Sequence, residues 1–460
     1  MKKVIISIFL AYLRLAARIQ LAKIRPQIVA LTGSMGKTSL CNAMATVLAT
    51  RYQVKKSVKA NSETGIPLDL LGLHPQEYNL SEWLKLFFLI PIKLLTNWQK
   101  YDIYVAELGV DDPYPPKNME YLLRFIKPDV GVFLNVASVH TEQFAKLIHP
   151  NKVFNSNKER EDFLLNAIAQ EKGKIITELK PDKVAIVNRD DRWVWQVAPR
   201  IKAKLRAFGK EADQPGQIKI GEIKHFFKGK KIIHPNEVAT RFTFNYQTKK
   251  CLVELPLLVP DYYSSTLAAA LSVGLEFGIS IDESGGALAK SFKLPASRMG
   301  LFSGINNSLL IDSSYNASRI ATIGALELLA KVPAKPKVVV LGDMRELGEI
   351  AREEHGAVAK EILKVADEVI LVGPLTQEYV FPMVSPKLPT QWFVNSWQAT
   401  EYLKLHLKSG SVVLIKGSQN TIFTEIVVEK LLKNPEDAKK LCRRGAFWDR
   451  QRQKLKINLS

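Results

Sequence analysis

The feature that most constrains the fold of this 460-residue chain is the stretch Thr32-Gly33-Ser34-Met35-Gly36-Lys37-Thr38-Ser39. It follows an apolar run at 28–31, which predicts a buried strand, and precedes a pattern at 40–48 that predicts a helix. Glycines let the backbone turn tightly, so that successive N–H groups and the positive end of the helix point to one place. The order of strand, glycine loop and helix therefore predicts an α/β domain with an anion-binding loop.

The residue types in this loop favour phosphate as the anion. Lys37 is expected to pair with the outer phosphates of a nucleotide, and the Thr38 hydroxyl to bind magnesium. The general P-loop pattern has a glycine five residues before Gly36, where this chain has Leu31, so the pattern is met in part. The flanking strand and helix disfavour the alternative, a glycine turn before Lys-Thr by chance. The predicted nucleotide-binding residues here are Gly33, Ser34, Gly36, Lys37, Thr38 and Ser39.

Length, cysteine usage and charge limit the function classes. The chain is about three times as long as a typical domain, so we expect two or three domains with full cores. Its three cysteines are far apart and form no CxxC or Cys/His spacing, which indicates a reducing compartment and no zinc site. The net charge of +20 calls for an anionic partner, namely nucleic acid, a membrane surface or a nucleotide. No nucleic-acid-binding motif accompanies the charge, so we expect no nucleic-acid partner.

Two apolar segments raise the question of a membrane. Residues 1–25 predict a basic amphipathic helix whose uncharged run is too short to span a bilayer. The helix either lies on the inner membrane surface or packs on the protein body, and the sequence leaves both interpretations open. Residues 83–98 are strongly apolar but contain Lys85, Pro91 and Lys93, which favours a buried or lid-forming helix pair over membrane contact. We expect a cytoplasmic protein, at the inner membrane face under the first interpretation.

Polar groups follow several predicted strands. Glu107 ends the strand predicted at 101–110, and His140 follows the strand predicted at 128–135. Ligands bind at the carboxyl ends of strands in open parallel sheets, so both are candidate magnesium ligands. The alternatives, a helix-capping glutamate and a surface histidine, remain open. Asn61 lies in a polar turn at 60–67, where side chains can project into a cleft.

The rest of the chain predicts a second α/β unit. Short strands at about 217–258 indicate a small antiparallel insertion. From about Pro295, strands alternate with helices, which predicts a Rossmann-like closure. The fold class is therefore α/β, with a mostly parallel sheet in the P-loop domain. The predicted divisions are an N-terminal helix at 1–25, a central nucleotide-binding domain at 26–294, a Rossmann-like domain at 295–440 and a basic tail at 441–460, either exposed or forming a second surface contact.

Taken together, the motifs resemble the Mur ligase family. They occur in family order and span about 26–432. Those at 315–317 and 342–348 are most similar to the members that add D-alanyl-D-alanine. The motifs are the glycine loop, Asn61 to Pro67, Glu107-Leu108-Gly109, Asn135 to His140, Asn188 to Asp191, Ser297-Arg298, Asp312 to Ala317, Gly342 to Gly348 and Lys416-Gly417-Ser418.

The resemblance implies an ATP- and magnesium-dependent ligase that activates a carboxylate as an acyl phosphate and joins it to an amino-acid or dipeptide amine. Cations would hold the carboxylate and triphosphate together against their repulsion. Lys172 corresponds to the family's carbamylated lysine, which would help His140 hold a second metal ion. The implied roles are catalytic for Lys37, Glu107, His140 and Lys172; metal-binding for Thr38, Glu107, His140 and Lys172; nucleotide-binding for Asn188, Arg298 and Asp312; and substrate-binding for Asn61, Asn316, His355, Lys416 and Ser418.

The chain also departs from the family pattern. Its glycine loop begins at Gly33, so we expect the family's UDP-sugar-binding N-terminal domain to be missing and the muramyl-peptide acceptor to be lipid-linked or otherwise altered. Asp261-Tyr262-Tyr263 stands where a His-Asn pair is usual near the adenine. The alternatives are a folylpolyglutamate- or cyanophycin-type ligase and a nucleotide-binding scaffold without catalysis. We expect a monomer.

Overall fold

The computed structural model describes residues 2–58, 60–75, 77, 79–139, 141–231, 233–417 and 421–459. These residues form two compact units. Unit 1 comprises the described residues up to Glu222 together with Thr243–Val253 and Ser264–Lys293. Unit 2 comprises Ile223–Phe242, Glu254–Tyr263 and the described residues from Leu294 onward. The strands of the predicted insertion are thus divided between the two units.

Strands and helices alternate through most of the chain. The strands are β1 (Gln27–Thr32), β2 (Val54–Lys56), β3 (Ile103–Glu107), β4 (Val130–Phe133), β5 (Val184–Asn188), β6 (Lys204–Gly209), β7 (Ile218–Phe227), β8 (Val238–Tyr246), β9 (Lys249–Leu255), β10 (Gly300–Ser303), β11 (Leu309–Ser313), β12 (Lys337–Gly342), β13 (Glu368–Val372), β14 (Thr390–Phe393) and β15 (Val412–Lys416). The helices before residue 300 are α1 (Lys2–Ile24), α2 (Lys37–Leu48), α3 (Gly65–Leu71), α4 (Leu80–Thr96), α5 (Met119–Leu123), α6 (Thr141–Phe144), α7 (Asn157–Thr177), α8 (Arg192–Val197), α9 (Tyr263–Glu276) and α10 (Ile281–Ser291). Those after it are α11 (Arg319–Lys331), α12 (Ala351–Val365), α13 (Pro374–Tyr379), α14 (Phe381–Val384), α15 (Ser396–His406), α16 (Glu425–Leu431) and α17 (Ala446–Leu459).

The first sheet has β1 near the centre of its parallel part. Its strand order is β2-β3-β1-β4-β5-β6-β7-β8-β9. Strand β1 is buried from Ile28 to Thr32 because parallel neighbours lie on both sides of it. Leu31 is paired with Glu107 of β3, so the glycine loop and Glu107 lie at the same edge of the sheet. The α/β class, the mostly parallel sheet and the antiparallel insertion are confirmed.

The second sheet has the order β10-β11-β15-β12-β13-β14. Strand β10 is antiparallel to β11, and the other pairs are parallel. The parallel strands are almost continuously apolar, as expected when helices cover both faces of a sheet. The predicted Rossmann-like unit is confirmed.

The N-terminal helix packs on the body of unit 1. Leu13 and Ala17 of α1 are buried, and α1 contacts α3 and α4. The side of α1 that carries Leu13 and Ala17 therefore packs on the protein, as the second of the two sequence interpretations predicts. Helix α4 is a single helix that contains Pro91, so the predicted helix pair at 83–98 is wrong. No helix in the described part of the chain is both long enough and apolar enough to cross a bilayer.

The C-terminal tail packs on unit 2. Cys442 and Arg443 are buried, and Arg443 forms an ion pair with Glu425 of α16 at 3.0 Å. The rings of Phe423 and Trp448 lie 6.4 Å apart. The tail is therefore attached to the unit along its first part, rather than exposed from residue 441 onward.

Candidate active site

The glycine loop joins β1 to α2 with a left-handed turn. Gly36 has φ of +77° and directly precedes the first residue of α2, a conformation that costs glycine little. A side chain at Gly33 would bring its Cβ within 3.2 Å of the Leu134 Cβ. Glycine is therefore required at Gly36 by conformation and favoured at Gly33 by space, and the predicted loop has the geometry that its sequence demands.

Asn135 fixes the shape of this loop. Its Oδ1 accepts hydrogen bonds from the backbone N–H of Ser34 at 3.0 Å and of Met35 at 2.9 Å. Its Nδ2 donates to the Met35 carbonyl at 3.1 Å. Sequence reasoning gave Asn135 no site role, although its place just after β4, beside β1, was the signal that could have found it. This side chain therefore stabilises the conformation of the loop at the carboxyl edge of the sheet.

Lys37 lies back over the loop. Its Nζ donates to the carbonyl oxygens of Gly33 at 3.0 Å and Ser34 at 3.3 Å. Thr38 and Ser39 follow it in the first turn of α2, and Thr38 is half-buried. The N-terminus of α2 and the Lys37 cation therefore lie together at the loop, where a phosphate chain would be stabilised.

Glu107 is buried at the neighbouring strand end. Its backbone N–H donates to Ser57 Oγ at 2.9 Å, and its Oε1 accepts from Asn61 Nδ2 at 3.3 Å. The exposed Asn61 therefore contacts this carboxylate, and its substrate-binding role stays a prediction. A carboxylate held beside a phosphate-binding loop is a suitable magnesium ligand, together with phosphate oxygens and water.

Lys172 of α7 is a buried amine next to these groups. It is 1% exposed, and its Nζ donates to the Val110 carbonyl at 2.9 Å. Burial first, and then the positive charge of Lys37, lower the pKa of Lys172 to about 7, against the opposing effects of Asp111 and Glu171. Near neutral pH a large fraction of the amine is therefore unprotonated, as nucleophilic addition to carbon dioxide requires.

Asn188, at the end of β5, is bonded within unit 1. Its Nδ2 donates to the Leu134 carbonyl at 3.0 Å, and its Oδ1 accepts from the Asp190 N–H at 3.1 Å. It therefore ties the ends of two strands together directly behind the glycine loop.

In unit 2, Asp312 is fully buried at the end of β11. One carboxylate oxygen accepts from Ser297 Oγ at 2.7 Å, and the other accepts from Ser314 Oγ at 2.6 Å and Ser314 N at 3.0 Å. Burial raises the pKa of Asp312, and the serine hydrogen bonds oppose that rise. Asp312 therefore fixes the backbone that leads into 315–317. The guanidinium of Arg298 lies 4.5 Å from the centre of the Tyr315 ring in the same region.

Lys416 supports the same loop from β15. It is 2% exposed, and its Nζ donates to the carbonyl oxygens of Asn316 and, at 3.4 Å, Ser313. Burial and the charge of Arg298 lower the pKa of Lys416 to about 7. The Asn316 side chain is exposed, and its Oδ1 accepts from the Ala317 N–H at 2.7 Å. Unit 2 therefore presents Asn316 outward on a loop that Lys416 holds from inside.

His355 is enclosed in unit 2. Its Nε2 accepts from the Met344 N–H at 3.0 Å, and its Nδ1 lies 2.7 Å from the Ala351 carbonyl. With no exposed surface, this ring contacts the protein backbone and not solvent, so it positions the 342–348 loop. His140 and Ser418 lie outside the described residues. Among the residues that are described, no group of three His, Cys, Asp or Glu side chains could hold a metal ion.

These features define a class of protein. A glycine loop with a lysine and a strand-end carboxylate lie at the same edge of a mostly parallel sheet, a buried lysine of lowered pKa lies on helix α7 of the same unit, and the chain also carries a Rossmann-like unit. This combination is that of a P-loop nucleotide-binding enzyme.

Comparison with known proteins identifies the family. Residues 31–149 match the Mur ligase middle domain, and residues 297–419 match the Mur ligase, glutamate ligase domain. Together the two matches cover more than half of the chain, in the order expected. The chain belongs to the Mur ligase family and is an ATP-dependent ligase that forms carbon–nitrogen bonds.

Individual relatives agree with this assignment. The UDP-N-acetylmuramoyl-tripeptide--D-alanyl-D-alanine ligase of Escherichia coli (strain K12) is 27% identical over 428 residues, which are 91% of this chain and 79% of the relative. Its counterpart in Buchnera aphidicola subsp. Acyrthosiphon pisum (strain APS) is 26% identical over 425 residues, with the same coverage. The MurF ligase of Thermotoga maritima, solved in complex with ADP, is 25% identical with a TM-score of 0.71, and the match covers 93% of this chain and 84% of that one.

Proposed function

We propose that this ligase joins D-alanyl-D-alanine to the carboxylate of a muramyl-tripeptide acceptor in peptidoglycan precursor synthesis. The observation that carries the proposal is the placement of Lys37, Glu107 and Lys172 around the glycine loop, on a chain similar to relatives named for that reaction. We also propose a cytoplasmic location, which the three buried, unpaired cysteines support.

The proposed ligation proceeds in two steps, formation of an acyl phosphate and formation of the amide. An acceptor carboxylate oxygen attacks the γ-phosphorus of ATP, the bond to ADP breaks, and an acyl phosphate forms. The amine nitrogen of the dipeptide then attacks the acyl carbon, phosphate leaves with the bonding electrons, and the nitrogen loses a proton. Lys37 and the N-terminus of α2 would stabilise the charge on the transferred phosphoryl group.

The donor set fits magnesium. Thr38 and Glu107 supply the oxygen ligands that Mg²⁺ prefers, and phosphate oxygens and water would complete its shell. A bound magnesium ion would neutralise charge on the phosphates. The low pKa of Lys172 supports its carbamylation, in which the neutral amine adds to carbon dioxide and releases a proton. The resulting carbamate anion would serve as a further metal ligand.

The test is a substrate panel with the purified full-length chain, ATP and magnesium. The acceptors are UDP-linked muramyl-tripeptide, lipid-linked muramyl-tripeptide and a folate, and the amines are D-alanyl-D-alanine, D-alanine and L-glutamate. We expect ADP release, and a product of matching mass, with D-alanyl-D-alanine only. Turnover with L-glutamate on a folate acceptor would favour the folylpolyglutamate-type alternative. ATP binding with no turnover on any acceptor would favour a scaffold.

A further inference from the structure

Helices α1 and α4 lie side by side on unit 1. The rings of Phe9 and Trp83 are 5.3 Å apart, and those of Tyr12 and Phe87 are 5.0 Å apart. Further along, Lys23 Nζ donates to the carbonyl of residue 94 at 2.6 Å. Because these contacts come in the same order along both helices, the outward sides of the helices form one surface, which we call the α1–α4 face.

The outward side of α4 is apolar. Leu84, Phe88 and Leu95 are 54%, 68% and 76% exposed, and their spacing of four and seven residues places them on one side of the helix. The opposite side buries Leu86 and Ile90 against the body. A surface helix ordinarily turns polar residues to water, whereas α4 is apolar on both sides. Its outward side therefore has the composition of a surface that contacts an apolar partner.

The outward side of α1 continues this surface. Val4, Ile8 and Leu15 are 62%, 65% and 55% exposed, and they lie opposite the buried Leu13 and Ala17. The sequence interpretation of a helix packed on the protein therefore accounts for only one side of α1. The other side is also apolar and faces outward.

The charges around the α1–α4 face are almost all positive. Helix α1 contains no Asp or Glu, and Arg14 and Arg18 flank its apolar stripe. Helix α4 carries Lys85 and Lys93, and its one acidic residue, Glu82, accepts a hydrogen bond from the backbone N–H of Glu77. The partner of this face must therefore offer apolar contact and negative charge at the same place.

We propose that the α1–α4 face docks on the surface of an anionic lipid bilayer. A bilayer supplies acyl chains for the apolar stripe and anionic headgroups for the lysines and arginines. A second copy of this chain would place cations against cations, on a protein of net charge +20. Trp98 lies two residues after the end of α4 and is 63% exposed, and the centre of its ring is 4.4 Å from Lys23 Nζ, an aromatic–cation pair suited to the headgroup region. Both helices lie flat in the interface and do not span it.

The experiment is flotation of the full-length protein with vesicles of phosphatidylcholine, with or without phosphatidylglycerol. We expect binding to the vesicles that contain phosphatidylglycerol, and weaker binding to pure phosphatidylcholine or at high salt. The variant Leu84→Gln/Phe88→Gln/Leu95→Gln is expected to lower the partition coefficient about tenfold or more. The matched control is Leu405→Gln, because Leu405 is 82% exposed but lies in unit 2. A second variant, Arg18→Gln/Lys85→Gln, should weaken binding to the anionic vesicles alone.

Three outcomes would overturn the proposal. The first is absence of binding to anionic vesicles, and the second is equal binding by the triple variant and the Leu405→Gln control. The third is a dimer, detected by light scattering, that does not bind vesicles and that the triple variant no longer forms. Thermal unfolding of the triple variant shows whether it is folded. Because flotation requires no catalysis, a failed substrate panel would leave this proposal standing, and the reverse also holds.

Discussion

Each unit of the molecule contains one buried lysine whose pKa is lowered to about 7, yet their surroundings differ. Lys172 in unit 1 donates from its Nζ to the Val110 carbonyl, and the charge of Lys37 at the glycine loop helps to lower its pKa. Lys416 in unit 2 donates to two carbonyl oxygens of the loop that it supports. Burial is the largest cause of the lowered pKa of both groups, and a neighbouring cation, Lys37 for Lys172 and Arg298 for Lys416, adds to it.

The comparison separates chemistry from scaffolding. In unit 1, the charged side chains of Lys37, Glu107 and Lys172 lie around a loop that leads into the N-terminus of α2, which suits a phosphate. In unit 2, the buried side chains of Asp312, His355 and Lys416 form hydrogen bonds with backbone groups of the same unit and hold its surface loops in place. A perturbed pKa is therefore a guide to function only when its surroundings offer a substrate. The predictions below test this division.

The largest effect is expected for Lys37→Met. Loss of the cation at the outer phosphates should lower kcat by about a thousandfold. The midpoint of thermal unfolding should stay unchanged, because Lys37 is only half-buried and bonds to loop carbonyls. Lys290→Met, at an exposed position of α10, is the control. A Lys37→Met variant with ordinary turnover would remove the glycine loop from the mechanism.

Arg443→Met should affect the stability of unit 2 strongly. It leaves the Glu425 carboxylate without its buried partner, which should lower the free energy of unfolding by about 3 kcal/mol. The measurement is urea unfolding. The double variant Glu425→Leu/Arg443→Met removes both charges and should recover most of the loss. Equal stability of the single variant and the parent would show that this ion pair does not hold the tail on the unit.

Lys172→Arg should lower turnover about a hundredfold, since arginine keeps a cation but cannot form a carbamate. With ¹³C-labelled bicarbonate, the parent protein should show a carbamate signal by NMR that the variant lacks. Lys416→Arg is the matched comparison, because its lysine has a similar pKa but no predicted metal nearby. A carbamate signal that disappears with Lys416→Arg and persists with Lys172→Arg would reverse the roles assigned to the two lysines.

The smallest effect concerns pH. The pKa of Lys416 is about 7 in the folded protein and 10.5 for an ordinary lysine. Between these values the unfolded chain binds a proton that the folded chain does not, so this lysine makes stability rise with pH. The slope is at most about 1.4 kcal/mol per pH unit, and below pH 7 the destabilisation is fully present. Lys416→Met should flatten the rise in the free energy of unfolding between pH 7 and 9, and an unchanged slope would contradict the shifted pKa.

Local patterns were sufficient to predict most of the fold. The glycine loop between β1 and α2, the strand ending at Glu107 and the parallel strands of unit 2 follow from apolar runs and from glycine chemistry. Helix α4 was not predicted correctly, because Pro91 suggests a break in sequence while packing on α1 maintains one helix. Contacts with a distant part of the chain keep α4 continuous, and such contacts cannot be predicted from a local sequence pattern.

The site was predicted less completely than the fold. Lys37, Glu107 and Lys172 lie around the loop as expected, although their catalytic and metal-binding roles stay predictions. Asp312 and His355 are fully buried, whereas Asn316 is exposed. The sequence alone does not show which of these polar residues the fold buries. Arg443, whose Nη2 donates to the Tyr315 carbonyl at 2.5 Å, was part of a tail with no assigned role. Its contact joins positions far apart in the chain.

The central claim, that a carboxylate is phosphorylated and then captured by an amine, can be measured directly with isotopes. An acceptor whose reacting carboxylate carries ¹⁸O should transfer one labelled oxygen to the phosphate released with the amide product, when ATP and D-alanyl-D-alanine are present. Mass spectrometry of the phosphate reads this transfer. Amide formation with unlabelled phosphate would contradict the account, because no acyl phosphate would then lie on the path.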